Sequence, residues 1–500
     1  MKPSLTLALL LFAAFAIAQN PGDAFFSGDQ IHEIRFQFSQ PGFLDSLKAN
    51  YTLDQYMRCD VTVDGVSFPV SGVKYKGNSS YNNPGKKKPF RIDFEEYTDN
   101  QKLDGMDKLV LNNAFKDPTF LREKMMLDFL NAHGISAPRC IFVKLYINNQ
   151  YWGLYSGVED VEKTFLKTRF DNKGGNLFKG DPHGSLTWKG PDPAMYYGDY
   201  ELKTNEEEND WTDLVNLLNK LNNTPPAQLA DSLDRYLNLD SWFSYWAAHN
   251  LFVNLDSYIG SGHNYFLYHN TDTDKFEWIS WDVNESFGNF NLGLTLNNLK
   301  TLPFGYIPNP PNMRPMMNKL WQDNAFKQRL ADRMCELLQD FNNGSMDLRI
   351  DALANLIRPA VLADSLKTHS NALFEQNLSQ DVNIGQGPNG GMIPGLKSFV
   401  TARRNALLQQ LQSYGCSTTS VESLADAAMT ISPNPASDFI QISIPNHNII
   451  QIRLWDASGK LYGQWMPQTN YEVSNLPSGL YFLEVLTAEG VVLGRFLMGK

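Results

Sequence analysis

The sequence predicts an α+β protein in two parts, a large mixed domain followed by a small all-β sandwich. Three observations carry this expectation. Between Ile31 and about Ile147, apolar residues alternate with polar ones in short runs broken by Gly, Asn and Ser, the period of half-buried strands. From Trp211 to Leu411 the apolar residues recur mostly at helical spacing. Residues 417–428 are rich in Ser, Thr, Ala and Asp, a linker composition, and short strands with tight turns follow it.

Taken in order, the chain opens with Met1-Lys2-Pro3, an apolar run over residues 5–17 and the small-residue pattern Ala16-Ile17-Ala18. This predicts a secretory signal peptide over residues 1–18, too short for a stable membrane span. No Cys follows the cleavage point, which argues against a lipid anchor there, and no later apolar run is long enough to cross a bilayer. Residues 70–75 read as a strand running into Gly77-Asn78-Ser79-Ser80, and residues 89–94 as a second. On that second strand Lys88, Phe90, Ile92 and Phe94 share one face, with Arg91 and Asp93 on the other. Asp117-Pro118-Thr119 predicts a helix cap with Pro in the first turn, and the apolar stripe from Phe120 to Leu130 predicts the helix, ended at Gly134. Residues 141–147 and 151–158 predict a hairpin around Asn148-Asn149-Gln150.

Helices are expected over residues 211–221, 231–237 and 239–253, the last capped by Asp240. That helix delivers the chain to Asp256. Residues 276–281 alternate as a half-buried strand that ends at Asp282, and helices follow near residues 316–340, 346–366 and 396–411. The run Gly385-Gln386-Gly387-Pro388-Asn389-Gly390 has dinucleotide-loop spacing, but Pro388 and Pro394 mark an open loop rather than a strand-to-helix junction.

Composition bounds the function. Hydrophobic residues at 42% and charged residues at 19% describe a globular chain, and a net charge of −11 argues against general nucleic-acid binding. One basic cluster, Lys86, Lys87, Lys88 and Arg91, suits a phosphate or an acidic ligand, with a solvated loop as the competing reading. Cys59, Cys140, Cys335 and Cys416 permit one or two disulfides in an exported protein, and their wide spacing excludes a local zinc knuckle.

The chemistry concentrates at strand ends. Asp256, Asn264 and Asp282 supply an acid, an amide eight residues later and a second acid after a hairpin. Hard cations take such oxygen ligands, and the set serves metal-assisted phosphoryl transfer; turn formation is the competing explanation of the same residues.

Two resemblances follow from these residues. Residues 429–500 resemble the type IX secretion C-terminal sorting domain, through Pro433-Asn434-Pro435-Ala436, the turn Asp456-Ala457-Ser458-Gly459 and Leu476-Pro477-Ser478-Gly479-Leu480-Tyr481. That resemblance implies export past the outer membrane, dealings with the type IX machinery, and a cell-surface or secreted destination. Residues 30–412 resemble the CotH family of atypical protein kinases. The carriers are Lys76-Gly77-Asn78-Ser79-Ser80, Lys87-Lys88-Pro89-Phe90-Arg91, Leu121-Arg122-Glu123-Lys124, Tyr151-Trp152-Gly153-Leu154-Tyr155, Gly175-Asn176-Leu177-Phe178-Lys179-Gly180, Asp256, Asn264-Tyr265-Phe266-Leu267-Tyr268 and Trp281-Asp282.

The second resemblance implies a kinase-like fold, ATP with Mg²⁺ or Mn²⁺, and an exported protein as acceptor. Asp256 matches the catalytic aspartate and Asp282 the metal-binding one, with Asn264 expected to share the ion. Lys88, Arg91 and Lys76 compete for the phosphate contact, Glu123 is a partner for that cation, and Glu159 is expected near the hinge. The chain departs from the family pattern at Asn284, where a second acid is common, and in having no Gly-rich lid beyond Gly77-Asn78-Ser79-Ser80. A non-catalytic surface adhesion or assembly protein is the alternative, favoured if Trp188, Tyr196, Tyr197 and Tyr200 form one exposed patch.

Overall fold

The computed structural model describes residues 20–385, 391–416, 429–445, 448–456, 461–487 and 491–499. The expected signal peptide and linker, and most of the 385–390 glycine run, lie outside the described residues.

Seven strands close a barrel: β1 (Ile31–Gln37), β2 (Met57–Val63), β3 (Val66–Tyr75), β4 (Phe90–Asp93), β5 (Lys108–Asn112), β6 (Cys140–Ile147) and β7 (Gln150–Glu159), in the order β1-β2-β3-β4-β5-β7-β6. Parallel pairing of β1 with β6, Ile34 opposite Leu145, completes the ring. The period-two pattern of the sequence is the inside and outside of this barrel. Ile34, Phe36, Val73, Phe90, Ile92, Leu109, Leu111 and Tyr155 fill the interior. The alternate residues Val110, Leu154 and Val158 face outward and join a second, larger core shared with the helices.

That larger core is built on β8 (Leu177–Gly180), β9 (Tyr200–Leu202), β10 (Tyr265–Asn270) and β11 (Lys275–Ser280), a sheet of order β11-β10-β8-β9, with the helices packed around it. Trp242, Tyr245 and Tyr258 crowd on Trp278 there, with ring centroids 4.6, 4.8 and 5.2 Å away. The C-terminal module is all-β, one sheet of Thr430–Ser432, Phe439–Ser443 and Tyr471–Glu472 beside another of Leu461–Trp465, Ile449–Asp456, Gly479–Thr487 and Val491–Met498.

Several boundaries differ from expectation for local reasons. The helix predicted from Asp117 starts at Arg122, because Phe120 has φ of 61° and the Asp117 carboxylate folds the turn by accepting from the Thr119 and Arg122 amides. The helix leading to Asp256 spans Leu239–Leu251, and its cap is Asn238, which accepts from the Asp240 and Ser241 amides. The 316–340 helix is two, Pro315–Leu320 and Asn324–Asp340, the second capped by Asp323 accepting from the Ala325 amide at 2.7 Å. The 231–237 helix is a short turn, Leu229–Leu233. Leu396–Leu411 falls where expected. One disulfide forms, Cys335 to Cys416, and Cys59 and Cys140 are buried thiols.

Candidate functional site

The first acid is carried by a tightly bonded loop. After the Leu239–Leu251 helix, Val253 takes φ of 46°, a conformation a β-branched residue rarely adopts. His249 is fully buried and its pKa is pushed down to about 3 by burial, so its ring is neutral. Asn254 Nδ2 donates to His249 Nδ1 at 3.2 Å, which places the ring proton on Nε2, and Nε2 then donates to Ser280 Oγ at 3.0 Å. The neutral ring thereby ties the loop to the end of β11, where Trp281 and Asp282 follow. The loop closes on itself through Ser257 Oγ to the Asn254 carbonyl at 2.6 Å and the Ser261 amide to the Leu255 carbonyl at 2.8 Å. Gly260 is required at that turn, since a Cβ there would stand 2.0 Å from the Leu255 carbonyl oxygen.

Asp256 projects from this loop with both carboxylate oxygens engaged. His263 Nε2 lies 2.8 Å from Oδ1, and Asn264 Nδ2 donates to Oδ2 at 3.2 Å and to the Asp256 carbonyl at 2.9 Å. Burial favours the neutral imidazole, but the Asp256 carboxylate outweighs it and holds His263 above its ordinary pKa. Asp282 follows β11 with φ of 51°, and Asn264 precedes β10 with φ of 59°. Asn284 Nδ2 donates to Asp282 Oδ1 at 2.7 Å. Burial raises the Asp282 pKa, Lys76 opposes the rise and the Asp256 charge adds to it.

The barrel supplies the facing groups. Lys76 extends the outward face of β3 and lies 5.4 Å from the Trp281 ring centroid. Burial lowers its pKa, against the pull of Asp282 and Glu123. Its Nζ donates to Asn112 Oδ1 at 3.1 Å, and Asn112 Nδ2 donates to Glu123 Oε1 at 2.6 Å. Burial first, and then the Asp282 charge, push the Glu123 carboxyl up to about 7. Arg91, also on the outward face, is 2.5 Å from Asp160. Glu285 pairs with Lys116 at 2.8 Å through Oε1, and burial together with the Asp256 charge pushes it up to about 7. Its second oxygen, Oε2, is buried with no hydrogen-bond partner among the described residues.

Asp256, Asn264, Asp282 and Lys76 are therefore brought together, with Arg91 acting on Lys76 through its charge. Two other expected residues stand apart. Lys88 donates to the Tyr81 carbonyl at 2.6 Å and to the Asn83 carbonyl, stitching the loop after Gly77. Glu159 braces Arg139 at 2.6 Å and Arg169 at 2.9 Å. The aromatic residues form no common patch: Tyr196 and Tyr200 are buried, and Tyr197 packs on Trp211 with centroids 4.8 Å apart. Asn112, His263 and Glu285 were not marked by the sequence as site residues. Glu285 stands three residues after Asp282, close to the marked strand end, whereas Asn112 carries no motif at all. Among the described residues no three His, Cys, Asp or Glu side chains are grouped to hold a metal ion.

A mixed helix-and-strand domain followed by an all-β sorting module defines the class, a protein marked for secretion or display at the cell surface through the type IX machinery. The family model for CotH kinase protein matches residues 73–407 and that for the secretion system C-terminal sorting domain matches residues 430–498, so the chain belongs to the CotH kinase protein family. Inner spore coat protein H of Bacillus subtilis is 26% identical over 310 residues, covering 61% of this chain and 81% of that protein. Invasin CotH3 of Rhizopus delemar is 24% identical over 363 residues, 67% of this chain and 60% of the invasin. Invasin CotH2 of the same organism is 24% identical over 340 residues, 62% of this chain and 56% of that invasin. No described helix is long and apolar enough to cross a membrane.

Proposed function

We propose that the large domain, residues 30–412, is kinase-like in fold and transfers the γ-phosphoryl group of ATP to Ser or Thr hydroxyls of exported proteins. The observation that carries this reading is the meeting of Asp256 and Asp282, on loops of the helical part, with Lys76 on the outward face of the barrel. In phosphoryl transfer through a loose transition state, positioning and charge neutralisation dominate, and this set provides both. Asp256, fixed by His263 and Asn264, accepts the hydroxyl proton and aims the nucleophile. Lys76 meets phosphate oxygens, with Arg91 behind it.

Mg²⁺ characteristically takes one or two carboxylates and leaves its other positions to water and substrate phosphates, and one carboxylate with one amide oxygen, Asp282 with Asn264, is a donor set of that kind. Asp282 and Asn264 would hold Mg²⁺ or Mn²⁺, which neutralises phosphate charge when bound. Asn264 turns its amide nitrogen to Asp256, which leaves Oδ1 for that purpose.

A second reading is favoured by the relatives' names: two are called invasins and one a coat protein, which fits a non-catalytic surface adhesion or assembly role. Incubating the full chain with γ-labelled ATP and Mn²⁺ or Mg²⁺, beside Asp256→Ala and Asp282→Ala, separates the two. Under the kinase reading the parent incorporates label and each variant loses about a hundredfold or more. No incorporation, with no shift in unfolding temperature on adding ATP, favours the surface role.

A further inference from the structure

We propose that Asn112 is a positioning residue whose amide couples Lys76 to Glu123, in place of a direct ion pair. The inference rests on the phosphotransfer reading of the cleft. Among the described residues Lys76 has no carboxylate within the 4.0 Å of an ion pair, and its ammonium donates instead to Asn112 Oδ1 at 3.1 Å. On the far side Asn112 Nδ2 donates to Glu123 Oε1 at 2.6 Å. The direction of the amide follows from chemistry. The Lys76 ammonium only donates, so the amide oxygen must face it, and the nitrogen is left to donate to Glu123.

The three groups come from three elements. Lys76 follows β3, Asn112 ends β5, and Glu123 lies in the first turn of the Arg122–Ala132 helix. The amide is thus the link by which the helix fixes a cation on the barrel. It is an enclosed link, with Asn112 8% exposed and Glu123 5% exposed. An apolar residue in place of Asn112 would take the acceptor from the Lys76 ammonium and leave the Glu123 carboxyl to Ser156, and buried polar groups are costly to leave short of partners. Spanning the gap with an amide lets Lys76 stay against Trp281 and within the field of Asp282 while still answering to Glu123.

The test reverses the polarity of the link in the full chain. Asn112→Asp removes the donor that faces Glu123 and places two acids together; Glu123→Gln alone keeps an acceptor for the Asn112 amide. Asn112→Asp combined with Glu123→Gln restores a continuous series, Lys76 to carboxylate to amide. We expect kcat/KM for ATP to fall about tenfold or more in Asn112→Asp, and the double variant to return to within about threefold of Glu123→Gln, the single variant it is compared with. A double variant as impaired as Asn112→Asp overturns the proposal, because an amide that merely fills space offers no route to rescue. Should the parent incorporate no phosphate, it is the kinase reading that fails. The same variants then decide the link by unfolding temperature: Asn112→Asp should lose about 2–4 °C and the double variant recover it, and no recovery overturns the proposal.

Discussion

At the scale of single residues, two buried groups give the stability of the large domain opposite pH slopes. Glu123 is pushed up to about 7 from an ordinary 4.5, so the folded chain holds its proton where the unfolded chain does not. Its contribution is full below 4.5 and is lost as pH rises through 7. His249 is pushed down to about 3 from 6.5, so its contribution is full above 6.5 and is lost as pH falls towards 3. Glu123→Gln should flatten the loss between pH 4.5 and 7, on the order of 1–3 kcal/mol in urea unfolding, and His249→Gln should flatten the acid limb instead. A Glu123→Gln profile that overlays the parent would contradict the shifted carboxyl.

The same scale shows what was legible. The places of Asn264 and Asp282 were legible because alternation marks the strands they flank, and that of Asp256 because helical spacing marks the helix leading to it. The alternation on residues 88–94 was also read correctly, with Phe90 and Ile92 on one face and Arg91 on the other. Which face meets the site was not readable. Closing the sheet into a barrel turns the Phe90 face inward and leaves Lys76 and Arg91 looking at the helices, and closure depends on β1 meeting β6, more than a hundred residues apart along the chain. Asn112 is an ordinary residue at a strand end whose meaning lies wholly in its two neighbours.

At the scale of elements, the Leu239–Leu251 helix is the mount for the Asp256 loop, and Asn238 holds both ends of the arrangement. Its Oδ1 caps the helix, and its Nδ2 donates to the two Glu277 oxygens at 3.0 and 2.9 Å on β11. Asn238→Ala should cost about 1–2 kcal/mol in unfolding free energy, and Asn238→Asp should keep the cap while setting two acids against each other. Sequence patterning placed this helix to within two residues at its C-terminal end but chose Asp240 as cap, since Asp and Asn serve equally well there and only the position of Glu277 distinguishes them. The long 316–340 pattern hid a break because Trp321 and Asp323 continue its amphipathic spacing while Asp323 caps a new start.

At the scale of the whole molecule, the Cys335–Cys416 bridge closes a loop across 81 residues of the helical part. Removing it by Cys335→Ser with Cys416→Ser should lower stability by about 4 kcal/mol on the chain-entropy account, checked by urea unfolding of the oxidised parent beside the double variant. An equal midpoint for the two would show that the bridge is dispensable to the fold. Cys416 also lies just past the Leu396–Leu411 helix, on the side of the sorting-domain match at residues 430–498. Tension applied from the C-terminus therefore reaches the large domain first at a covalent cross-link. The bridge shares that load with the Asn324–Asp340 helix, which carries Cys335. A protein hauled outward by its tail would in this way be gripped at a rivet instead of a fraying end.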